Sequence, residues 1–237
     1  MKRIKHYDFL NNFQEALKDW TIIKQKKNFN KEVQEYVDHS NNRYFDQGLV
    51  LQATLNHEGI IQSTRMHTKD RFYFKYGRVE ITAKLPSGKG TWPAFWMMSQ
   101  EEKYGPWPKS GEIDILEHVG KKPHELLLCL HTEKYNHTSM KHYLSTYQAQ
   151  DVTTTFNKYA IEWEEDSITY YFNHQQTAQY KKGQNHRDTS PKGWPFNEDF
   201  YLILNLAIGG NLGGEVDYDC FPQQFIIQEI SVYQKDV

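Results

Sequence analysis

Arg78-Val79-Glu80-Ile81-Thr82-Ala83-Lys84-Leu85 alternates polar and apolar residues without a break. Successive side chains of a β-strand point to opposite faces, so Val79, Ile81, Ala83 and Leu85 share a buried face while Arg78, Glu80, Thr82 and Lys84 meet water. A helix would scatter the same residues around its circumference. Pro86-Ser87-Gly88 closes the segment with turn chemistry. Working outward, residues 49–55, 112–118, 125–131, 159–164, 168–173, 201–206 and 225–233 read as further strands. Glu165-Asp166-Ser167 lies between two of them and predicts a hairpin. Only residues 11–20 could form a short helix. Many short strands separated by turns predict an all-β fold, an antiparallel sandwich or barrel. No repeat, low-complexity tract or linker divides the 237 residues, so a single domain over 1–237 is expected.

Composition excludes several classes. Lys and Arg number 28 against 30 Asp and Glu, a net charge of −2, which argues against a nucleic-acid binder driven by bulk positive charge. Mean hydropathy is −0.82. No run of about 18 apolar residues occurs, so neither nucleic acid nor membrane is expected as a partner. Aromatics make up 15% of the chain, enough to build a core and still line a ligand face. The two cysteines, Cys129 and Cys220, do not make a disulfide scaffold, and Cys129 inside Leu126-Leu127-Leu128-Cys129-Leu130 reads as a buried small hydrophobe. Met1-Lys2-Arg3-Ile4-Lys5-His6-Tyr7-Asp8 is basic with no apolar stretch behind it. As written, the sequence reads as lacking a secretory leader, which leaves a cytoplasmic protein or one trimmed of its leader.

The stretch that carries chemistry is Gly111-Glu112-Ile113-Asp114-Ile115-Leu116-Glu117-His118. Glu112 and Asp114 are two apart and share a strand face. Glu117 lies an odd five residues from Glu112, and one extra residue in a β-bulge around Ile115-Leu116 would bring it onto that same face. Two inward-leaning glutamates could then approach the ~5–5.5 Å of a retaining glycosidase, or stand at the ~6.5–9.5 Å of an inverting one. Crowded carboxylates also push their pKa values apart, leaving one as a proton donor near neutrality. A hard-cation site and a solvated acidic face are the competing readings. Against the last, acids are depleted in strands and repel one another there.

Gly111 to Glu117 resembles the active-site signature of family 16 glycoside hydrolases, in the form with one extra residue before the last Glu that laminarinases, agarases and carrageenases carry. The likeness extends to Phe74-Lys75-Tyr76-Gly77-Arg78-Val79-Glu80, to the run from Lys84 to Met98, to Asn30-Lys31-Glu32-Val33-Gln34-Glu35-Tyr36, to the run from Leu204 to Asn211, and to Phe221-Pro222-Gln223. It covers about residues 8–234. It implies a β-jelly-roll sandwich of two antiparallel sheets with a concave cleft. It implies Glu112 as nucleophile, Glu117 as general acid/base and Asp114 as the residue that positions and tunes the nucleophile. The activity implied is endo-acting, retaining hydrolysis of β-1,3 or mixed β-1,3/1,4 glucan by a monomer. No cofactor is required for that chemistry, though family members often carry one structural Ca²⁺ whose ligands this sequence does not single out. Departures lie in the stretch from His131 to Thr138, which is similar only at His131, and in the last strand around Gln228-Glu229-Ile230-Ser231-Val232-Tyr233.

Sugar rings present C–H faces that stack on indoles, and the resemblance brings Trp92, Trp96 and Trp107 to the cleft, Trp107 as the floor beside the scissile bond. Trp163, inside an alternating strand, reads as core. Asn30, Arg65, His131 and Asn205 sit in cleft-like segments and offer donors or acceptors for hydroxyls, although each would equally serve as a structural hydrogen bond. His137, His142 and His186 read as solvated loop residues, and the eleven histidines show no zinc-type spacing. Two alternatives to a glucanase are a non-catalytic glucan-binding module and a galactanase of the agarase or carrageenase type. A sulfated substrate would call for clustered cations in the cleft, and those segments contain few.

Overall fold

The computed structural model describes residues 1–235, so the last two residues of the expected domain lie outside the description. The alternating segment forms the strand Gly77–Lys84, with every second residue buried. It lies inside a ten-stranded sheet between Asn157–Trp163 and Gln223–Gln234, antiparallel to both. An eight-stranded sheet faces it, with successive neighbours Tyr143–Gln148, Glu125–His131, Glu112–His118, Thr91–Ser99, Phe200–Ile208, Arg65–His67 and Thr21–Ile22. Strands adjacent in space are often distant in sequence, which is the crossing pattern of a jelly roll.

Apolar side chains from the inner faces of both sheets form one cluster, including Val79, Ile81 and Ala83 from one and Phe95, Met97, Ile113, Leu202 and Leu204 from the other. Trp163, expected in the core, is fully buried. Its ring meets those of Phe200 at 5.2 Å, Tyr76 at 5.3 Å and Phe74 at 5.9 Å, and its N–H donates to the Phe196 carbonyl at 3.2 Å. Truncating such a residue to alanine typically costs about 3–5 kcal/mol.

Leu49–Leu55, Glu112–His118 and Glu125–His131 match the expected bounds, Phe200–Ile208 and Gln223–Gln234 run longer at both ends, and Asn157–Trp163 and Ser167–Phe172 begin earlier and end one residue sooner than expected. The helix expected over 11–20 shrinks to Phe13–Leu17. Asn11 is drawn off instead to the Asp8 carboxylate through both its backbone and side-chain N–H groups. Trp20 leaves the helix in a turn and packs against Tyr7 at 5.5 Å.

The bulge is present. On one side of Glu112–His118, Phe95 pairs with Leu116 and Trp96 with Asp114, leaving Ile115 unmatched. On the other, Asp114 pairs with Cys129 and the next partners are Glu117 and Leu127. Ile115 and Leu116 are both buried in the core, and Glu117 returns to the concave face.

Candidate active site

Gly111 delivers the chain into the acid-bearing strand at φ +87°, in the left-handed region open to glycine, and a Cβ there would meet the Phe196 ring at 2.9 Å. From that turn Glu112, Asp114 and Glu117 project into a cavity of about 540 Å³ on the concave sheet. Each glutamate is held by an indole: Trp107 Nε1 donates to Glu112 Oε2 at 2.6 Å, and Trp92 Nε1 to Glu117 Oε1 at 2.8 Å. A fixed donor on each carboxylate orients one of its oxygens. His131 Nε2 lies 3.4 Å from Asp114 Oδ2 and 3.8 Å from Glu112 Oε1.

Burial pushes the Asp114 carboxyl well above the carboxylate range, and Glu112, Glu117 and a hydrogen bond with Glu112 push it the same way. Asp114 therefore keeps its proton to higher pH than an ordinary carboxyl does, beside Glu112. Burial also raises Glu117. Its Trp92 donor and His131 pull it partly back, while the charge of Glu112 adds to the rise. A buried carboxyl raised in this way holds its proton toward neutrality, as a general acid must. Cys129, as expected, is buried, but its thiol lies on the cleft side against Glu117. Burial and the acids push it well above a normal thiol.

The wall beyond Trp92 and Trp96 comes from several distant segments. Trp96 Nε1 donates to Asn205 Oδ1 at 2.7 Å, and Asn205 Nδ2 donates to the Tyr36 hydroxyl at 3.2 Å. The Arg65 guanidinium lies 5.1 Å over the Trp96 ring, with its Nε buried and without a partner. Phe29, Asn30 and Glu32 arrive on a loop in which Asn30 and Lys31 both adopt left-handed φ, 56° and 61°. Asn30 accepts from the Asn211 N–H at 2.8 Å, and a Cβ on Gly210 would come within 2.7 Å of that carbonyl. Close approach of two backbones thus fixes the loop over the cleft end.

Of the expected site residues, Glu112, Asp114, Glu117, Asn30, Arg65, Trp92, Trp96, Trp107 and Asn205 line this one cavity. His131 stands behind the acids, nearly buried. His137 and His186 are exposed, as expected of solvated loop residues, whereas His142 is half-buried. His137 lines the cavity with its ring 5.2 Å from Trp107, and His142 stacks on His131 at 5.2 Å. Burial, with His131 and His137 beside it, pushes the His142 imidazole down to about 4. The sequence reading also passed over Phe29, Glu32, Tyr36 and Tyr201 as individual cleft residues. Phe29 is 72% exposed at the cleft end, and an aromatic left in water is the signal that could have found it. A larger, more open depression of about 910 Å³ elsewhere, lined by residues such as Tyr44 and Gln52, contains no cluster of acids.

The model described as "Glycosyl hydrolases family 16" matches residues 25–213. This chain belongs to glycosyl hydrolase family 16. It is 39% identical over 180 residues to a β-glucanase of Rhodothermus marinus, covering 73% of this chain and 62% of that protein's length. A laminarinase from Flavobacterium sp. UMI-01 superposes with a TM-score of 0.88 at 35% identity, covering 98% of this chain and all of the other. The non-specific endo-β-1,3(4)-glucanase SCLam superposes at 0.90 with 29% identity, covering 99% of this chain and 91% of its own. The strand pattern predicts an all-β sandwich or barrel and the resemblance implies a jelly roll; the all-β jelly-roll sandwich is the fold of these family members.

Among the described residues, one close group of three metal-type donors occurs, Asp114, Cys129 and His131. Thiol and imidazole are poor partners for a hard cation, so this group does not supply ligands for the structural Ca²⁺ that the resemblance implies.

Proposed function

We propose that this protein is an endo-acting β-glucanase that cleaves β-1,3 linkages, alone or within mixed β-1,3/1,4 glucans, with retention of anomeric configuration. The observation that carries the reading is the arrangement of Glu112 and Glu117 on one face of a bulged strand, each clamped by an indole N–H, with Asp114 between them, its carboxyl pushed up by burial. Glucan ligands also fit relatives named as glucan endo-1,3-β-glucosidases and as an endo-β-1,3(4)-glucanase.

Glu112 attacks the anomeric carbon through the oxygen not held by Trp107. Asp114 donates to Glu112, orienting it and tempering its charge before attack. Glu117, kept protonated by burial, gives its proton to the leaving oxygen. A covalent glycosyl-enzyme results, and the emptied Glu117 then deprotonates water, which hydrolyses the intermediate from the same face. Trp92, Trp96 and Trp107 offer indole faces to the sugar rings. Arg65 Nε, Asn205 and Asn30 offer polar groups to hydroxyls. Among the described residues Arg65 is the single arginine or lysine lining the cavity, and its position over Trp96 suits a neutral glucan better than a sulfated galactan.

Laminarin, lichenan, cellulose, agarose and carrageenan, incubated in parallel and followed by reducing-end release and product sizing, test this. Oligosaccharides of several lengths from laminarin, with β-anomers formed first in the proton NMR spectrum, are expected. A strong preference for lichenan would move the specificity to mixed linkage. Silence on all five would overturn the hydrolase reading in favour of a glucan-binding module.

A further inference from the structure

We infer that the floor of the cleft is an inhibitory site for a thiophilic divalent cation of the zinc class, held by Asp114, Cys129 and His131. One donor atom from each lies within 4.8 Å of the others, and all three residues are buried. Asp114 and Cys129 are cross-strand partners, with His131 two residues further along the same strand face as Cys129. Zn²⁺ bonds of about 2.0–2.3 Å in tetrahedral geometry place neighbouring donor atoms roughly 3.3–3.6 Å apart. The His131 Nε2 to Asp114 Oδ2 separation of 3.4 Å already matches one such edge. Bringing the thiol onto the other two asks for a closure of about 1 Å or slightly more, within reach of a Cys χ1 adjustment.

A second observation points to a ligand independently of the cysteine. Asp114 Oδ2 is buried and has no hydrogen-bond partner. An orphaned acceptor of this kind is expensive, and a cation would satisfy it. The donor set is one thiolate, one imidazole and one carboxylate oxygen. That is the set of a three-ligand zinc site, whose fourth position here faces the cleft. The thiol proton and the proton carried by Asp114 leave to solvent as the cation enters, since a coordinating thiol is deprotonated outright. His131 Nδ1 also has no partner, so the imidazole lacks the outer hydrogen bond that tightens permanent sites. That suits a reversible inhibitor better than a resident cofactor.

A cation there takes Asp114 away from Glu112 and places positive charge beside Glu117, so metal binding and turnover exclude each other. The inhibition rests on the glucanase reading; the binding does not. The binding test uses Cys220→Ser protein, in which Cys129 is the sole thiol. Titration with Co²⁺ should produce a near-ultraviolet thiolate-to-cobalt charge-transfer band that saturates at one equivalent and is bleached by Zn²⁺. Cys129→Ser and Cys129→Ala in the same background should give no band. Absence of the band in the Cys220→Ser protein overturns the site however the other variants fold. On laminarin, the Zn²⁺ concentration that halves each protein's own metal-free rate should rise about tenfold or more on losing Cys129. Equal inhibition with and without the thiol overturns the inhibitory role while leaving the hydrolase assignment untouched.

Discussion

Two clusters of acids occupy the two sheets, and they are built on opposite principles. On the outer sheet, Glu80 is bridged by Arg78 at 3.2 Å and Lys158 at 3.2 Å. The same cations reach Glu162 at 3.1 Å and Glu229 at 3.5 Å. Burial alone would push Glu80 upward, but Lys158 and Arg78 overcome it and hold its carboxyl below the usual range. In the cleft, Glu112, Asp114 and Glu117 face one another with the His131 imidazole, the Cys129 thiol and two indole donors in attendance, and Asp114 and Glu117 are pushed up. Acids that hold a sheet together are paired with cations. The acids proposed to react are crowded, dried and left unneutralised, the arrangement that shifts proton affinities at functional sites.

The largest contrast is kinetic. Glu112→Gln and Glu117→Gln should each lower kcat on laminarin by about 10³-fold or more, whereas Glu80→Gln should leave it within about twofold. Circular dichroism should report an unchanged fold in all three, and comparable turnover in Glu117→Gln would remove that residue from the acid's role.

Stability should respond with opposite sign. A carboxyl whose folded pKa is lowered, like Glu80, adds stability above its unfolded pKa and loses it as pH falls through the folded value. One whose folded pKa is raised, like Glu117, subtracts stability as pH climbs above the unfolded value. Near pH 7, Glu117→Gln should therefore raise Tm, by about 0.5–2 kcal/mol of relief. Glu80→Gln should lower Tm by roughly 2–4 °C, the equivalent of about 1 kcal/mol in a chain of this size. Calorimetry on both variants checks the pair, and shifts of the same sign would break the comparison.

A finer cut separates the donors from the charges. Trp92 stabilises the ionised form of Glu117, so Trp92→Phe should move the alkaline limb of the kcat profile to higher pH as well as weakening substrate binding. An unmoved limb would mean that another group sets it. The smallest effect concerns salt. Raising NaCl to about 1 M shortens the screening length to roughly 3 Å, which should lower Tm slightly in the wild type and less in Glu80→Gln.

How much of this could be read from the sequence depended on whether the signal was local. Alternation at Val79, Ile81 and Ala83 and the odd spacing between Glu112 and Glu117 are properties of one strand each, and both the strand and its bulge are found. Trp92 and Trp107 were placed in the cleft by resemblance. That their N–H groups would each take one glutamate follows from side-chain geometry that spacing does not encode. Glu32 and Tyr36 belong to the cleft because Val33 N–H bonds the Ile208 carbonyl, a contact between segments some 175 residues apart. His142 was misread because its environment comes largely from His131 on the neighbouring strand and from Arg187, which its own loop does not reveal.

The bulge at Ile115-Leu116 also says where this chain tolerates a change of length. Losing a single residue from a strand ordinarily turns everything downstream inside out, because the face alternates every step. Here the supernumerary residue already absorbs one step. Removing Ile115 would leave Glu112, Asp114 and the last glutamate at even offsets on an unbroken strand, still facing the same way. The cleft chemistry is thus indifferent to the presence of one whole residue at its centre, and what that residue sets is how two neighbouring side chains fill the interior beneath the acids. A strand of this design can gain or shed one unit without turning its acids off the cleft face.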